Sequence, residues 1–456
     1  MKSIGTGAFR GCDNLPFLQK MKLKMMGAML AGIVTGLLFM AFREHTGADS
    51  MLWQNINNLL FQDITAPGGE RSLGLFFLGG QLFIRALQLI IVPMVFSSVV
   101  MAISEISEAS TLGRVSAKTI CWFMLTSFIA LFFAGIIGLL FFKSGIFSVT
   151  IEGLGVSSGT TASNPLNVIL NIIPSNIIST FGVNNAVLGI VFIAVVVGLG
   201  MNKLDMGKES VIYRFCDEAS RIIVVFLNYM VNKFGPCAIF MLLCRTFATY
   251  GIDYLKPALA YFLICTVLLL TYLFIGYPCI LACICKMNPV VFLRKIFGVI
   301  IFGFSTSSSA ATLPMNLDVC KKELGVDPEI ASFVLPLGMT INMDGTAIMQ
   351  VIATLFIAGC GGYDVTVFQL VIIMALALIA SMGTPAAPGA GAVILFTILS
   401  GVGFTGDLAL IAYSLILAIN RPIEMLVTSL NCVGDSVAAI AVAKSEGKLD
   451  ERTYNT

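Results

Sequence analysis

The sequence predicts an all-α protein that crosses a membrane many times, and its composition is the first reason. Of the 456 residues, 57% are hydrophobic and only 11% are charged, whereas a soluble domain carries roughly 25% charged residues. The second reason is a series of apolar runs long enough to span a membrane, which takes about 20 residues. These runs begin near Met26, Leu73, Thr119, Val183, Ile222 and Leu259.

The second half of the chain has a different pattern, which is the third reason. Apolar segments continue beyond residue 288, but Ser, Gly, Pro, Asn and Asp interrupt them at 304–309, 342–346, 383–391 and 431–435. Irregular backbone at membrane depth persists only where protein buries it or where it lines a cavity. Its free carbonyl groups and helix ends are natural ligands for ions and carboxylates. We therefore expect mostly scaffold in the first half and the functional site in the second.

Two of these interruptions predict re-entrant hairpins. The segment from Gly383 to Gly391 cannot be a continuous helix, because it contains Pro385 and Pro388. Its apolar flanks, 368–379 and 393–399, are too short to span comfortably. The serine-rich run at 305–309 lies between two short apolar arms in the same way, although small residues there could instead serve close helix packing. Two hairpins, each followed by an interrupted helix, predict an inverted repeat.

Basic residues alternate between linkers and predict the orientation. Both termini and alternate linkers carry Lys and Arg, whereas the stretch from Ser144 to Asn202 has neither. By the positive-inside rule, both termini lie in the cytoplasm and that stretch contains an external loop. The first apolar run, from Met25, is too long for a cleavable signal. The basic positions are Arg10, Lys20, Lys22, Lys24, Arg114, Lys118, Lys203, Lys208, Arg214, Arg221, Arg294, Lys295, Lys321, Lys322, Lys444, Lys448 and Arg452.

Composition also excludes several function classes. A net charge of +2 gives no reason to expect a nucleic-acid partner. The twelve Cys are scattered singly, and even Cys279, Cys283 and Cys285 are interpreted as buried thiols of one apolar helix rather than metal ligands. With one His, zinc or catalytic-triad chemistry has almost no residues to use. We therefore expect no enzyme and no catalytic residues.

Carboxylates inside apolar helices are the strongest functional signal. A carboxylate at the bilayer centre costs about 2.5–3.5 kcal/mol even on the lenient insertion scale. Asp344 and Asp435 each lie near an Asn and have no basic neighbour in sequence. Their oxygens suit a hard cation, although a hydrogen-bonded structural Asp is the alternative. Glu424 and Arg421 also lie near membrane depth, and their spacing of three would let them pair with each other.

On these residues the chain resembles the dicarboxylate/amino acid:cation symporters, a family that includes glutamate and neutral amino acid transporters. The resemblance covers nearly the whole chain and is densest from Phe304 to Lys444. It is carried by Asn342-Met343-Asp344-Gly345-Thr346, by Pro388-Gly389-Ala390-Gly391, and by Asn431 with Gly434-Asp435.

The resemblance implies eight transmembrane helices and two re-entrant hairpins, assembled as a homotrimer in the inner membrane with an elevator mechanism. Scaffold helices 1 and 2 would occupy residues 1–112, and the external loop with scaffold helices 4 and 5 would occupy 144–250. The transport domain would comprise helix 3 at 113–143 and the remaining helices and hairpins at 251–445. Residues 446–456 would form a cytoplasmic tail.

The resemblance also implies three sites for sodium as the coupling ion. The first would use backbone oxygens of Gly338, Asn342 and Asn431 with the Asp435 carboxylate. The second would use backbone oxygens of Thr340, Ser381, Met382 and Thr384, with the Met343 thioether nearby. The third would use the Phe123 backbone with Thr126, Ser127, Asn342 and Asp344. A carboxylate at Asp435 favours sodium, because proton-coupled relatives tend to lose it.

The implied substrate site departs from the pattern of acidic-substrate members. Residues that match substrate contacts are Ser308, Ser309, Thr346, Ala387, Gly391, Glu424, Val427, Thr428 and Asn431. Val427 stands where acidic-substrate members carry an Arg, and without that Arg a second carboxylate would be buried unpaired. Glu424 replaces the family's Asp for the α-amino group.

Three functions follow in order of preference. The first is a sodium-coupled importer of a small neutral amino acid resembling alanine, serine or threonine. The alternative is a sodium- or proton-coupled carrier of glutamate, aspartate or a C4-dicarboxylate, with Arg421 as a candidate for the positive charge. A channel or a membrane enzyme is the third. The expected partners are the small-molecule substrate, membrane lipid and further copies of the chain.

Overall fold

The computed structural model describes residues 15–65, 69–108, 113–148, 173–182, 186–204, 206–250, 255–382, 384, 386 and 389–456. Within these ranges the regular elements are helices, and the only β-type pairing is an isolated bridge between Val326 and Leu449. The all-α class expected from composition is therefore confirmed. Part of the expected external loop, residues 149–172, lies outside the described residues.

The described residues form twenty α-helices and three π-helical turns. The α-helices are α1 Leu15–Thr46, α2 Met51–Ile56, α3 Leu75–Leu89, α4 Ile91–Glu108, α5 Gly113–Lys143, α6 Ile177–Phe181, α7 Val187–Lys203, α8 Val211–Tyr229, α9 Gly235–Tyr250, α10 Leu255–Thr271, α11 Tyr277–Cys283, α12 Pro289–Thr306, α13 Ser309–Lys322, α14 Pro328–Ile341, α15 Asp344–Gly361, α16 Val367–Met382, α17 Ala390–Val402, α18 Asp407–Ile419, α19 Arg421–Ser445 and α20 Glu451–Asn455. The π-helical turns are Asn57–Phe61, Met230–Phe234 and Tyr272–Gly276.

Seven helical stretches of the described chain are long and apolar enough to cross a membrane, judged by length and composition. They are Gly27–Thr46, Leu75–Met101, Arg114–Lys143, Lys256–Cys283, Pro289–Thr306, Pro328–Gly361 and Arg421–Ser445. Five further apolar helices of 10–17 residues accompany them. The chain is thus a multi-pass membrane protein.

The first of two compact units comprises residues 1–83 and 229–251. Its main contact joins α1 and α9, which pack along their lengths. Gly32 makes the approach close, since a methyl group added there would lie 2.9 Å from the carbonyl oxygen of Phe240. In lipid the hydrophobic effect does not drive helices together. Small residues favour their association instead, because they allow close van der Waals packing. Trp53 and Phe61 stack nearby, with ring centroids 6.0 Å apart.

The second unit comprises residues 84–228 and 252–456, and α15 and α19 form its centre. Nearly every residue of both helices is buried, as expected for a helix surrounded by protein on all sides. Helices α5, α10 and α18 pack against α15, while α12, α13 and α14 pack against α19. Polar side chains on α15 and α19 are therefore held in fixed surroundings.

Both predicted hairpins are present as pairs of packed helices. Helices α12 and α13 are separated only by Ser307, which adopts a left-handed conformation (φ 52°), and by Ser308, which caps α13. The serine-rich run therefore breaks the helix rather than serving as a packing face within one. Helices α16 and α17 also pack together. Between them, residues 383, 385, 387 and 388 lie outside the described part of the chain.

Each hairpin is followed by an interrupted helix, as predicted, but the second interruption lies elsewhere. The first falls at Asn342 and Met343, between α14 and α15. The second falls at Asn420, between α18 and α19, and Pro422 follows it within the first turn of α19. Residues 431–435, where we expected an interruption, lie inside the regular helix α19. A proline starts a helix readily, whereas isolated Asn, Gly and Asp can be held within one by neighbouring contacts.

The C-terminal residues pack back onto the second unit. The carboxylate of Glu446 accepts hydrogen bonds from Arg114 and lies 2.5 Å from the Lys118 ammonium. The Arg114 and Lys118 hydrogen bonds lower the pKa of Glu446 to about 2. The hydroxyl of Tyr454 donates to the Asn288 carbonyl at 2.8 Å. The expected tail is thus anchored by specific contacts.

The cysteines of the α11 region are less uniform than expected. Cys285 is buried, but Cys279 and Cys283 are exposed on the protein surface. The interpretation of all three as buried thiols is therefore wrong for two of them. Composition alone cannot tell a lipid-facing helix surface from a protein core, because both are apolar.

Candidate functional site

A small polar cavity lies in the second unit where the two hairpins meet α15 and α19. Its lining comes from the break after α12, the interruption before α15, the second hairpin and one face of α19. The lining residues are Ser307, Ser309, Met343, Thr346, Met349, Thr384, Ala386, Gly389, Gly391, Glu424, Val427, Thr428 and Asn431. Four separate stretches of the chain, far apart in sequence, therefore meet at one place.

Most residues expected to contact the substrate line this cavity. They are Ser309, Thr346, Gly391, Glu424, Val427, Thr428 and Asn431. Ser308 is not part of the lining, and its hydroxyl donates to the carbonyl of Ala386 at 2.9 Å. This bond joins the two hairpins directly. Ala387 lies outside the described residues.

Asn431 is fixed by bonds to the start of α15. Its Oδ1 accepts from the backbone N–H of Gly345 at 2.8 Å, and its Nδ2 donates to Thr346 Oγ1 at 3.1 Å. The first N–H groups of a helix have no partner within the helix, so an amide oxygen satisfies one of them here. Thr428, one turn earlier on α19, donates its hydroxyl to the Glu424 carbonyl.

Arg421 and Glu424 form a buried ion pair beside the cavity. Nη1 of Arg421 lies 3.3 Å from Oε2 of Glu424, and both side chains are more than 90% buried. The pairing that their spacing predicted is therefore present. Nε of Arg421 and Oε1 of Glu424 have no hydrogen-bond partner among the described residues. A buried polar atom without a partner is costly, so the pair keeps one donor and one acceptor for another group.

Val427 presents an apolar surface to the same cavity. Its side chain is 6% exposed, and the residue lies one turn after Glu424 on α19. The cavity wall is therefore mixed: a carboxylate and an amide on α19 flank an isopropyl group. Arg421 is not part of the lining and contacts the cavity residue Glu424.

The carboxylate of Asp344, one of the groups expected to bind sodium, accepts hydrogen bonds from two hydroxyls. Its Oδ1 accepts from the Ser127 hydroxyl at 2.5 Å, and its Oδ2 accepts from the Tyr277 hydroxyl at 2.8 Å. Both donors are neutral, and Asp344 takes part in none of the ion pairs found in the described residues. A buried carboxylate held by hydroxyls alone has no positive partner there, and a bound cation would compensate its charge.

A chain of hydrogen bonds joins α5 to Asp435. The hydroxyl of Thr126 donates to Asn342 Oδ1 at 3.1 Å, and Asn342 Nδ2 donates to Asp435 Oδ1 at 3.1 Å. Thr126 also contacts the carbonyl of Phe123 through its hydroxyl. The structure thus brings together residues from three distant parts of the sequence: Phe123 with Thr126, Asn342, and Asp435.

Gly338 lies directly against the Asp435 carboxylate. A Cβ atom added at Gly338 would collide with Oδ1 of Asp435, and it would lie 3.1 Å from the Phe123 ring. A glycine is therefore required for the carboxylate to approach the end of α14. The side-chain oxygen atoms of Thr126, Asn342 and Asp435 are buried and linked by hydrogen bonds. Such hard oxygen ligands suit sodium.

The residues of the second expected sodium site are less closely linked. Met343 and Thr384 both line the cavity, and the Thr384 N–H donates to the Ser381 carbonyl at 3.0 Å. Thr340 donates its hydroxyl to Leu337 within its own helix. Met382 is the last residue of α16. No described contact joins Thr340 or Met382 to the other members of this set.

Three residues that hydrogen-bond to members of the site were not assigned to it from the sequence. Gln350 is fully buried on α15, and its Nε2 donates to the Gly391 carbonyl at 3.3 Å. Tyr277 bonds Asp344, and Tyr272 donates its hydroxyl to the Thr126 carbonyl at 2.8 Å. An amide in the middle of a largely apolar helix could have marked Gln350. Nothing in the spacing of the two tyrosines marked them.

Comparison with known proteins matches residues 21–445 to the sodium:dicarboxylate symporter family. The proton/glutamate-aspartate symporter of Escherichia coli is 27% identical, over 95% of this chain and 96% of its own length. The proton/sodium-glutamate symport protein of Bacillus caldotenax is 28% identical, over 82% of this chain and 88% of its own length. The C4-dicarboxylate transport protein of Polynucleobacter asymbioticus is 29% identical, over 86% of this chain and 90% of its own length.

Proposed function

Because the chain belongs to the sodium:dicarboxylate symporter family, we propose that it is a sodium-coupled symporter of an acidic amino acid, glutamate or aspartate. The relatives reported above are named as transporters of glutamate, aspartate or C4-dicarboxylates. Those names do not support the neutral substrate that Val427 predicts. The side-chain carboxylate of an acidic substrate needs a positively charged partner in the protein, and Arg421 is the candidate.

The buried pair of Arg421 and Glu424 carries this proposal. One guanidinium N–H and one carboxylate oxygen in the pair have no partner among the described residues. A guanidinium binds carboxylates with directed, charge-assisted hydrogen bonds. An ammonium group on the substrate would meet Glu424, and a side-chain carboxylate would meet Arg421 after a shift of its side chain toward the cavity. Asn431 would bind the α-carboxylate.

The same pair favours an amino acid over a C4-dicarboxylate. Glu424 lines the cavity, and a substrate without an ammonium group would bring a second carboxylate beside it. Like charges in a buried site repel strongly because the effective dielectric constant is low. Glutamate and aspartate supply the compensating ammonium group, whereas succinate does not.

Sodium is supported as the coupling ion by the cluster around Asp344, Asn342 and Asp435. Carboxylate, amide, hydroxyl and backbone oxygens are hard ligands. Both carboxylates are buried and are held by hydroxyl and amide groups. Sodium is here a co-transported substrate, and its downhill movement would drive the amino acid uphill. Coupling to protons is the alternative within the family.

The wider architecture of the proposal follows the family resemblance. The chain would assemble as a homotrimer in the inner membrane with both termini in the cytoplasm. Residues 113–143 and 251–445 would move as a transport domain against a scaffold formed by 1–112 and 144–250. The bond between Ser308 and Ala386 supports a closed arrangement of the hairpins, since it joins the break after α12 to the segment between α16 and α17.

A neutral amino acid remains a second candidate because of two observations. Val427 contributes an apolar surface to the cavity, and the Arg421 guanidinium is already paired with Glu424. If that pair stays intact during binding, the cavity offers no free cation and suits a zwitterion with a short side chain.

Competition uptake separates the two candidates. Proteoliposomes with an inward sodium gradient would take up labelled aspartate or alanine against an excess of glutamate, succinate, serine or threonine. We expect glutamate and aspartate to compete with each other, and serine, threonine and succinate to have little effect. Transport of alanine and serine without competition from glutamate would replace the proposal by the neutral candidate.

A further inference from the structure

The helix that carries Tyr272 and Tyr277 contains a π-helical turn between them. The turn covers Tyr272–Gly276, and the N–H of Tyr277 bonds to the carbonyl of Tyr272, five residues back. Pro278 follows at once, and its ring has no N–H and crowds the carbonyl four residues before it. A wider turn relieves this conflict. Single π-helical turns occur frequently at functional sites.

The wide turn places both tyrosines on one face of the helix. Five residues of a regular α-helix advance by about 500°, which leaves the side chains about 140° apart. Here the two rings instead contact each other, with centroids 4.9 Å apart. Gly276 makes room, since a Cβ atom added there would lie 2.8 Å from the Tyr272 ring. Both rings are almost completely buried.

Each hydroxyl bonds a different residue of the expected sodium site. Tyr277 donates to Asp344 Oδ2 at 2.8 Å, and Tyr272 donates to the carbonyl of Thr126 at 2.8 Å. Gly434 allows the first contact, because a Cβ atom at that position would collide with the Tyr277 hydroxyl. Ser127 occupies the other oxygen of Asp344. The orientation of the carboxylate is thus set by two hydroxyls from two different helices.

We infer that Tyr277 and Tyr272 are positioning residues of the cation site, delivered to it together by the π-helical turn before Pro278. Tyr277 orients the Asp344 carboxylate, and Tyr272 orients the Thr126 carbonyl. This inference rests on the proposed sodium coupling, but it assigns a role to a helix that the sequence analysis did not connect with the ion. The two hydroxyls act on sodium affinity through the groups that they hold.

The test measures sodium binding without substrate. The full chain is purified in detergent, and its thermal unfolding temperature is recorded against sodium chloride, with choline chloride holding ionic strength constant. Tyr277→Phe removes one hydroxyl and keeps the ring. We expect its half-saturating sodium concentration to rise about tenfold, since a hydrogen bond to a charged group is lost. Its KM for aspartate at saturating sodium should stay within twofold of the wild type.

Tyr413→Phe is the matched control. Tyr413 is as deeply buried, and its hydroxyl donates to the Val393 carbonyl at 3.3 Å, away from the cation residues. Its sodium dependence should not change. Tyr272→Phe provides a second test through Thr126 and covers the case in which Tyr277→Phe fails to fold.

The outcomes separate the inference from the proposed function. If the wild type responds to sodium, and Tyr277→Phe and Tyr272→Phe show the same sodium dependence as the wild type, the positioning role is overturned. The proposed coupling then stands. If the wild type shows no response to sodium, the proposed coupling fails and the inference fails with it. A raised sodium requirement in Tyr277→Phe, with normal behaviour of Tyr413→Phe, supports the inference.

Discussion

Nη1 of Arg421 lies 3.3 Å from Oε2 of Glu424, and this ion pair is buried beside the candidate substrate cavity. Burying two charges costs several kcal/mol per ion, and pairing often only offsets that cost. Apolar residues would stabilise the fold as well, so a stabilising role is a weak reason for the pair. A role in binding a substrate that carries both charges explains it better, and the predictions begin there.

Removing the charge of Arg421 should strongly reduce acidic substrate uptake. Arg421→Gln leaves Glu424 unpaired and removes the group proposed to bind the second carboxylate. We expect aspartate uptake in proteoliposomes to fall by at least tenfold, with a loss of stability of about 3–5 kcal/mol for breaking a buried pair. Arg421→Lys keeps the charge and should retain part of the uptake. Aspartate transport by Arg421→Gln with an unchanged KM would assign the charge to another residue.

Placing a guanidinium at Val427 should shift selectivity toward acidic substrates. Val427→Arg puts a cation on the cavity wall, where it can pair with a side-chain carboxylate. We expect the ratio of aspartate to alanine uptake to rise about tenfold. Val427→Leu changes the volume without charge and serves as the control. Equal losses for both substrates in Val427→Arg would show that this wall does not contact the side chain.

Neutralising Asp435 should weaken sodium coupling. Asp435→Asn removes a carboxylate that Asn342 holds at 3.1 Å and that Gly338 closely approaches. The sodium concentration for half-maximal uptake should rise at least tenfold, and concentrative uptake should fall. Asp364→Asn, at an exposed position, is the control. Unchanged sodium dependence in the Asp435 variant would exclude this carboxylate as a ligand.

The contact of Glu446 with Arg114 and Lys118 should make stability depend on acidic pH. These bonds lower the folded-state pKa of Glu446 from 4.5 to about 2. A carboxylate with a depressed pKa stabilises the fold above its unfolded value and loses that effect as pH falls toward its folded value. The unfolding temperature of the wild type should therefore exceed that of Glu446→Gln at pH 6, and the difference should shrink between pH 4.5 and 2. Glu44→Gln, at an exposed position, is the control.

Much of the fold could be predicted because it depends on local chemistry. Pro385 and Pro388 predict a helix break through their restricted backbone, and α16 ends at Met382. In the serine-rich run, the Ser308 side chain caps α13, as serine commonly does at the start of a helix. The interruption at Asn420 was missed because Pro422 is compatible with a helix start, whereas Asn431 and Asp435 looked like breakers. Their side chains are satisfied by α15 and Asn342, and such contacts between distant segments have no local signature.

The residues proposed as ligands could be picked out from the sequence, but the residues that hold them in place could not. Asp344 and Asp435 stand out because charge in an apolar helix is costly. Tyr277 does not stand out, since a tyrosine in an apolar helix is ordinary and its role depends on a π-helical turn. The partnership of Arg421 and Glu424 followed from their spacing, but its burial beside the cavity required the packing of α17, α18 and α19.

The central claim, sodium-coupled transport of an acidic amino acid, is tested most directly by one measurement on the wild type. Labelled L-aspartate uptake is followed in proteoliposomes with equal aspartate on both sides and sodium imposed only outside. Our account predicts accumulation above the external concentration, which collapses when sodium is equal on both sides or is replaced by choline. Accumulation that persists in choline and follows an imposed proton gradient would contradict the account, as would the absence of any aspartate accumulation.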